Sequence, residues 1–458
     1  MSDSMEEFFD VEKDGQTIRI FLPESEIQES VLDQLKIMID HPALEGANLR
    51  VMPDTHAGAG CVIGLTYPLT GSRIIPNLVG VDIGCGMLTY PLSSTCTVTH
   101  SLAEIEEGIR RVIPMGLGQI REKSEGIEVD RDDACMKWIY DQSQTEAIQF
   151  AMKYQEKFGT CLHEFIPRYD MTYLSRLCKK VKIGPDAITQ SLGTLGSGNH
   201  FIEIGKSLQT GGHFITIHCG SRSLGLKICH YHQNKIEKNK SFNQLEFNRR
   251  LKLLKDETTD RSQLPRLIDT LRHEISKEKG TDYLEGIDAF EYFFDMIFAQ
   301  KYAQMNRQMI LQEFREEFGD DEYDETKMIE CVHNFIDFDD MTLRKGAIRA
   351  HSGDHVIIPF NMRDGLIVAE VTEGSGIDWN QSLPHGAGRV MGRKEAKRTL
   401  KVEDFKESME GIYTTGIGHD LLDESPIVYK DADLIKRMIA PRIKIIHDLI
   451  PVINVKGT

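Results

Sequence analysis

The chain has 458 residues, 40% hydrophobic and 27% charged, which suits a globular protein with ample material for a large core. Its formal net charge of −17 excludes a surface that clings to polyanions everywhere, while leaving room for a local basic groove. Nine cysteines without paired spacing point to reduced thiols and a cytoplasmic setting, no apolar run is long enough to span a bilayer, and the acidic opening "MSDSMEEFFDVEKDGQ" lacks the pattern of a secretory signal.

In chain order, "ESVLDQLKIMIDHPAL" (29–44) has helical apolar spacing with acidic residues near its start and predicts an amphipathic helix. From 50 to 90 short β-branched runs alternate with Gly-rich turns, so "CVIGLTYPL", "RIIPNLVGVDIG" and "MLTYPL" predict strands. Residues 100–180 read as mostly helical, and "NHFIEIG" and "GGHFITIHCGSRSLG" as successive strands. A long charged helical stretch occupies 230–330. "HVIIPFNMRDGLIVAEV" (355–371) predicts a hairpin turning at Asn-Met-Arg-Asp-Gly, and "DADLIKRMIAPRIKIIHDLI" a last helix interrupted at Pro441. No repeat or linker divides the chain, so the expectation is α+β: one large domain over 1–458, with a β-sheet core surrounded by helices.

Basic residues are uneven. "GRVMGRKEAKR" and "LRKGAIRA" concentrate Arg389, Arg393, Lys394, Lys397, Arg398, Arg344, Lys345 and Arg349, and either cluster reads most simply as a solvated face. In "QSLPHGAGRVMGRKEA" His385 directly precedes a Gly-Ala-Gly-Arg run, where small residues admit a bulky anion and Arg389 offers a planar fork of donors. "VGVDIGCGM" sets Asp82 and Cys85 three apart in a Gly-rich turn. "GSGNHFIEI", "ITIHCGSR" and "ECVHNFIDFDD" place His200, His218 and His333 where an apolar segment gives way to Gly, Asn or Asp. One thiol, one carboxylate and several imidazoles make a mixed ligand set compatible with Mn²⁺, Fe²⁺, Co²⁺ or Zn²⁺.

The blocks "MPDTHAGAGCVIG", "VGVDIGCGM", "GTLGSGNHFIEI", "IHCGSRSLG", "RKGAIRAHSGD" and "HGAGRVMGRKEA", closed by "YKD…VKG", resemble the RtcB-type RNA ligase family in order and approximate spacing from about residue 30 to the end. The resemblance implies an RtcB-like fold with a family-internal helical insertion at about 230–330. It implies an enzyme that joins RNA 3′-phosphate or 2′,3′-cyclic phosphate ends to 5′-hydroxyl ends, in RNA repair or tRNA splicing, with GTP and two Mn²⁺. By the same resemblance Cys85 bridges two ions, Asp82 and His200 complete one site, and His218 and His333 the other. His385 is then the nucleophile that takes GMP, while Asn199, His200, Glu203, Asn334, Gly386, Ala387, Gly388, Arg389, Tyr429 and Lys456 fall at nucleotide-contacting positions. Arg344, Lys345, Arg349 and Arg393 become candidate RNA backbone contacts, on a chain expected to be monomeric and free of membrane.

The chain departs from the family pattern in "IPFNMRDGLIVAE". Phe360 and Asn361 stand for Gly-Ser, Arg363 for the last Gly of the loop, and the following Ser-Tyr pair is absent. Leu343 replaces a His and Gly392 a Ser. These changes bear on GTP specificity and the preferred RNA end. They keep two alternatives open, a metal-dependent RNA-end phosphodiesterase and a non-catalytic RNA-end-binding paralogue.

Overall fold

The computed structural model describes residues 7–93, 100–122, 127–257, 263–264, 266–268, 270–271, 282–320, 323–373 and 378–457. Its strands are β1 (Phe9–Lys13), β2 (Gln16–Ile20), β3 (Leu49–His56), β4 (Ile63–Pro68), β5 (Gly86–Pro91), β6 (Phe201–Ser207), β7 (His213–Cys219) and β8 (Ile329–Val332), followed by β9 (Asn334–Asp337), β10 (Thr342–Lys345), β11 (Ala347–Arg349), β12 (His355–Asn361), β13 (Gly365–Val371), β14 (Ser382–Pro384) and β15 (Ile443–Lys456). A six-stranded sheet runs β1-β2-β3-β4-β10-β9, and a seven-stranded sheet runs β12-β13-β15-β6-β7-β5-β8. A two-stranded ribbon pairs β11 with β14. The mixed α/β architecture agrees with the expected class.

Helices form where the spacing predicts. Glu29–Met38 buries Val31, Leu35 and Met38, one i, i+4, i+7 stripe. Leu102–Val112 starts in a reciprocal capping box between Ser101 and Glu104. Ile287–Phe318 is apolar on nearly every side because it runs through the interior: Phe290, Tyr292, Phe293, Phe294, Met296 and Phe298 are all buried in the largest core cluster. The stretch expected as a helical insertion therefore contains a core helix, preceded by the Arg222–Glu257 helix, and much of 258–281 lies outside the described residues. Among the described residues, no helix is long and apolar enough to cross a membrane.

Two sequence expectations are corrected. "RIIPNLVGVDIG" is not a strand but a short helix, Pro76–Val79, begun by Pro at a position that has no hydrogen bond to lose, followed by the turn that carries Asp82. The last helix stops at Ile439, and Ile443–Lys456 is a 14-residue strand held between β13 and β6. Its apolar run is rich in isoleucine and valine. Both neighbours offered it a full ladder, so pairing overrode the helical reading.

Candidate functional site

Register brings the metal-ligand candidates together. Strands β6, β7, β5 and β8 are consecutive in the seven-stranded sheet, with Phe201 opposite His218, Gly86 opposite Cys219, and Gly86 opposite Val332. His200 immediately precedes β6, His218 lies near the end of β7, Cys85 immediately precedes β5, and His333 immediately follows β8. All four reach the same end of the sheet, although more than 200 residues of chain separate the first from the last.

Their side-chain atoms converge. The Cys85 thiol sulfur lies 3.5 Å from His200 Nε2 and 3.4 Å from His218 Nε2. His200 Nε2 is 3.1 Å from Asp82 Oδ2, and His218 Nε2 is 3.3 Å from His333 Nε2. His200 donates its Nδ1–H to the Leu195 carbonyl at 3.0 Å, which turns Nε2 toward Cys85 and Asp82. Burial opposes its charged form, but Cys219, Cys85 and Asp82 hold it well above the ordinary imidazole range, so a cation bound at Nε2 would displace a proton. Burial, then the neighbouring histidines and cations, holds His218 and His333 well below the ordinary imidazole range, so both are neutral donors. Burial, reinforced by Asp82, pushes the Cys85 thiol up to about 12. A buried thiol, a carboxylate and imidazole lone pairs crowded at such distances fit a divalent cation, whose charge converts the thiol to thiolate. A second ligand-type group, Asp337, Asp340 and His351, already holds a cation of its own: Arg344 reaches Asp337 at 3.1 Å and Asp340 at 2.6 Å.

His385 follows β14 and faces the same centre, its ring centroid 4.7 Å from that of His333. Its Nδ1–H donates to Asp54 Oδ2 at 2.6 Å, and its backbone N–H donates to the same oxygen at 3.2 Å. Asp54 is fully buried in β3, and Lys430 braces the backbone around it by donating to the carbonyls of Pro53 and Thr55. This pairing fixes the imidazole tautomer and leaves Nε2 as a free lone pair. Gly388 has φ +74°, and a Cβ there would stand 1.9 Å from the Asp54 carbonyl oxygen, so only glycine lets this loop lie against β3.

A cavity of about 400 Å³ joins these groups, lined by Asp82, Cys85, His218, His333 and His385 together with Asn199, Glu203, Asn334, Tyr429, Lys456 and the 386–389 run. Its polar wall is organised by Glu424, which sequence reasoning missed. Glu424 accepts from Lys456 at 3.1 Å and from the Tyr429 hydroxyl at 2.8 Å, and pairs with Arg393 and with Arg389, the latter at 3.7 Å. Burial alone would raise its carboxyl, but Lys456, Arg393 and Arg389 hold it at about 2. Glu203 shows the opposite balance. Burial drives it up to about 8 against a hydrogen bond from Asn454, so it is neutral at pH 7. Arg389 commits Nη2 to the Asp423 carbonyl and Nε to that of Met391, so only Nη1 lacks a hydrogen bond.

The candidate RNA contacts divide. Arg344 and Lys345 are buried, the first among carboxylates and the second donating to the carbonyls of Ala59, Cys61 and Asn77, and neither can reach a phosphate backbone. Their side chains alternate on a strand between β4 and β9, which places both inside the protein. Arg349 is half-exposed but answered by Asp337, Asp339 and Asp354, and Arg393 lines the cleft. The departures from the family pattern are also structural in part. Leu343 is core, Phe360 packs in the core while forming part of the cleft wall, and Arg363 pairs with Asp364 at the hairpin turn. Asp54 lay within a quoted motif block, but no spacing rule ties it to His385, 331 residues away. Glu424 stands in no motif at all.

Comparison with known proteins gives one consistent result. A profile of the tRNA-splicing ligase RtcB family matches residues 34–457. The chain is 28% identical to the RNA-splicing ligase RtcB of Escherichia coli over 90% of both chains. It is 27% identical to the tRNA-splicing ligase RtcB of Archaeoglobus fulgidus, over 89% of this chain and 86% of that one, and 24% identical to that of Thermococcus kodakarensis, over 85% and 83%.

Proposed function

The chain belongs to the RtcB family, and from that membership we propose that it is an RNA ligase joining 3′-phosphate or 2′,3′-cyclic phosphate ends to 5′-hydroxyl ends through a His385–GMP intermediate, with GTP and Mn²⁺. The observation that carries the reading is the Asp54–His385 pair standing over the Cys85 cluster in one cleft.

The chemistry follows from the side chains. His385 Nε2 attacks the α-phosphorus of GTP, the bond to the β-phosphate oxygen breaks, and pyrophosphate leaves. Asp54 stabilises the imidazolium that develops and keeps Nε2 in line. An RNA 3′-phosphate oxygen then displaces His385 from the phosphorus, which regenerates the imidazole and leaves GMP on the RNA end. Attack of the 5′-hydroxyl on the 3′-phosphate phosphorus expels GMP and closes the strand, and a prior hydrolysis opens any cyclic phosphate. Asp82, Cys85, His200, His218 and His333 would hold the divalent cations, which supply charge neutralisation and orientation for phosphate oxygens. Asn199, Glu203, Asn334, Tyr429, Lys456 and the 386–389 run line the cavity in which the nucleotide would sit, and Arg393, paired with Asp423 and Glu424, is the one of the four candidate RNA contacts on its wall.

Covalent labelling tests this. Protein incubated with Mn²⁺ and α-labelled GTP is expected to carry label that survives denaturing electrophoresis, is lost in mild acid, and is absent from His385→Ala. Label from ATP in place of GTP would mean a changed base preference. No label from either, with metal bound, would move the assignment to the phosphodiesterase or the binding paralogue.

A further inference from the structure

Two adjacent residues in the middle of the buried Ile287–Phe318 helix, Asn306 and Arg307, are fully buried and polar, and every ligand-bearing segment of the cleft is tied to them. Arg307 donates through Nη1 to the Gly84 carbonyl at 2.8 Å, inside the turn between Asp82 and Cys85, and to the Cys219 carbonyl at 2.9 Å, next to His218. Its Nε donates to Glu330 at 2.6 Å, on the strand that delivers His333. Asn306 accepts from the Thr194 N–H and donates to the Thr194 and Gly220 carbonyls and to the Cys219 sulfur. Thr194 precedes Leu195, the residue whose carbonyl orients His200. Gly84 makes the close approach possible. A Cβ there would stand 3.0 Å from Gln300 Cα and 3.1 Å from Ala303 Cβ of the same helix.

Burying an arginine costs several kcal/mol unless its donors are satisfied. Here Nη2 has no hydrogen-bond partner among the described residues, and a simpler apolar helix face would pack the core as well at lower cost. What the pair adds is a fixed spacing. One rigid guanidinium and one amide span four chain segments that the sheet ladder alone leaves free to slide at their ends. We propose that Asn306 and Arg307 are positioning residues that set the geometry of the metal centre from behind, so that metal affinity depends on a helix contributing no ligand. The proposal rests on the metal-binding reading of the cleft.

The test is metal binding by the full chain, followed by calorimetric titration of Mn²⁺ and by the Co²⁺ absorption spectrum, in which a cysteine-ligated ion gives a thiolate charge-transfer band. Arg307→Lys keeps a cation but replaces a planar group, whose Nε holds Glu330 while Nη1 holds both carbonyls, with one nitrogen that cannot occupy both positions. Its affinity for Mn²⁺ is expected to fall roughly 10- to 100-fold, with an altered Co²⁺ spectrum, while circular dichroism and Tm stay near those of the parent. Should Arg307→Lys fail to fold, Glu330→Gln decides, since it only loosens the guanidinium, and a loss of roughly tenfold is expected. Unchanged affinity and spectrum in whichever variant folds would overturn the proposal while leaving the metal site standing. A parent that takes up neither Mn²⁺ nor Co²⁺ would overturn the metal reading and this proposal with it.

Discussion

Under the proposed mechanism the competence of His385 as nucleophile rests on a single carboxylate, because Asp54 takes both its Nδ1–H and its backbone N–H. Asp54→Asn keeps the shape but presents an amide that can hold the wrong tautomer. GTP-dependent labelling is expected to slow roughly 10²- to 10⁴-fold with nucleotide affinity little changed, and labelling at the parental rate would remove Asp54 from the mechanism. Two carboxylates in the same cavity wall carry opposite pH signatures. Glu424, held at about 2 against 4.5 unfolded, contributes about 3 kcal/mol of stability that is present above pH 4.5 and lost as pH falls toward 2. Glu203 is held at about 8, so the native state keeps a proton that the unfolded chain has released, and stability falls as pH rises from 4.5 to 8. Glu203→Gln should therefore gain on the parent in thermal melts as pH goes from 5 to 8.5. A constant difference between the two proteins would show that Glu203 is ionised throughout.

Strands and helices were legible where one local rule decides them. The hairpin 355–371 turns at Asn-Met-Arg-Asp-Gly as its composition demands, and β6 and β7 appear where alternating apolar runs meet glycine. Ile443–Lys456 was not legible, because a central strand buried by two partners reads like a buried helix until its neighbours are known. The candidate ligands stood out because Gly, Asn or Asp stands next to or close beside each of them in the chain. Asn306 and Arg307 sit in an apolar helix, where a single Arg looks like an edge of the hydrophobic face. The same blindness applies to β10, whose basic residues suggested an RNA surface. Arg344 is buried between Asp337 and Asp340, so Arg344→Met is expected to cost about 3 kcal/mol by stranding the buried Asp337 and weakening the partly buried Asp340. Urea melts would show that loss, while RNA binding by the folded fraction is unchanged. Weakened RNA binding at full stability would restore Arg344 to the interface.

Taken as a whole, the molecule assembles its site from segments that only the folded state brings together. Asp82 and Cys85 lead into β5, His200 and His218 border β6 and β7, His333 follows β8, and His385 comes from the separate β11–β14 ribbon. An unfolded chain has no such constellation, so any cation bound at the Cys85 cluster binds the native state alone and stabilises it by mass action. At a hundred times its Kd, one bound ion adds about 2.7 kcal/mol, which for a chain of this size is a rise in Tm of roughly 3 °C per site. Mn²⁺ is expected to raise Tm by about twice that with two sites filled, chelation to reverse it, and His218→Ala to abolish most of the response. Mg²⁺ should give little, since it prefers oxygen ligands in octahedral array and this cluster offers one sulfur and three imidazoles beside one carboxylate. Equal melting temperatures in chelator and in Mn²⁺ would mean that the cluster holds no ion. Equal shifts from Mg²⁺ and Mn²⁺, retained in His218→Ala, would place the binding on surface carboxylates instead, which a chain with a net charge of −17 has in excess.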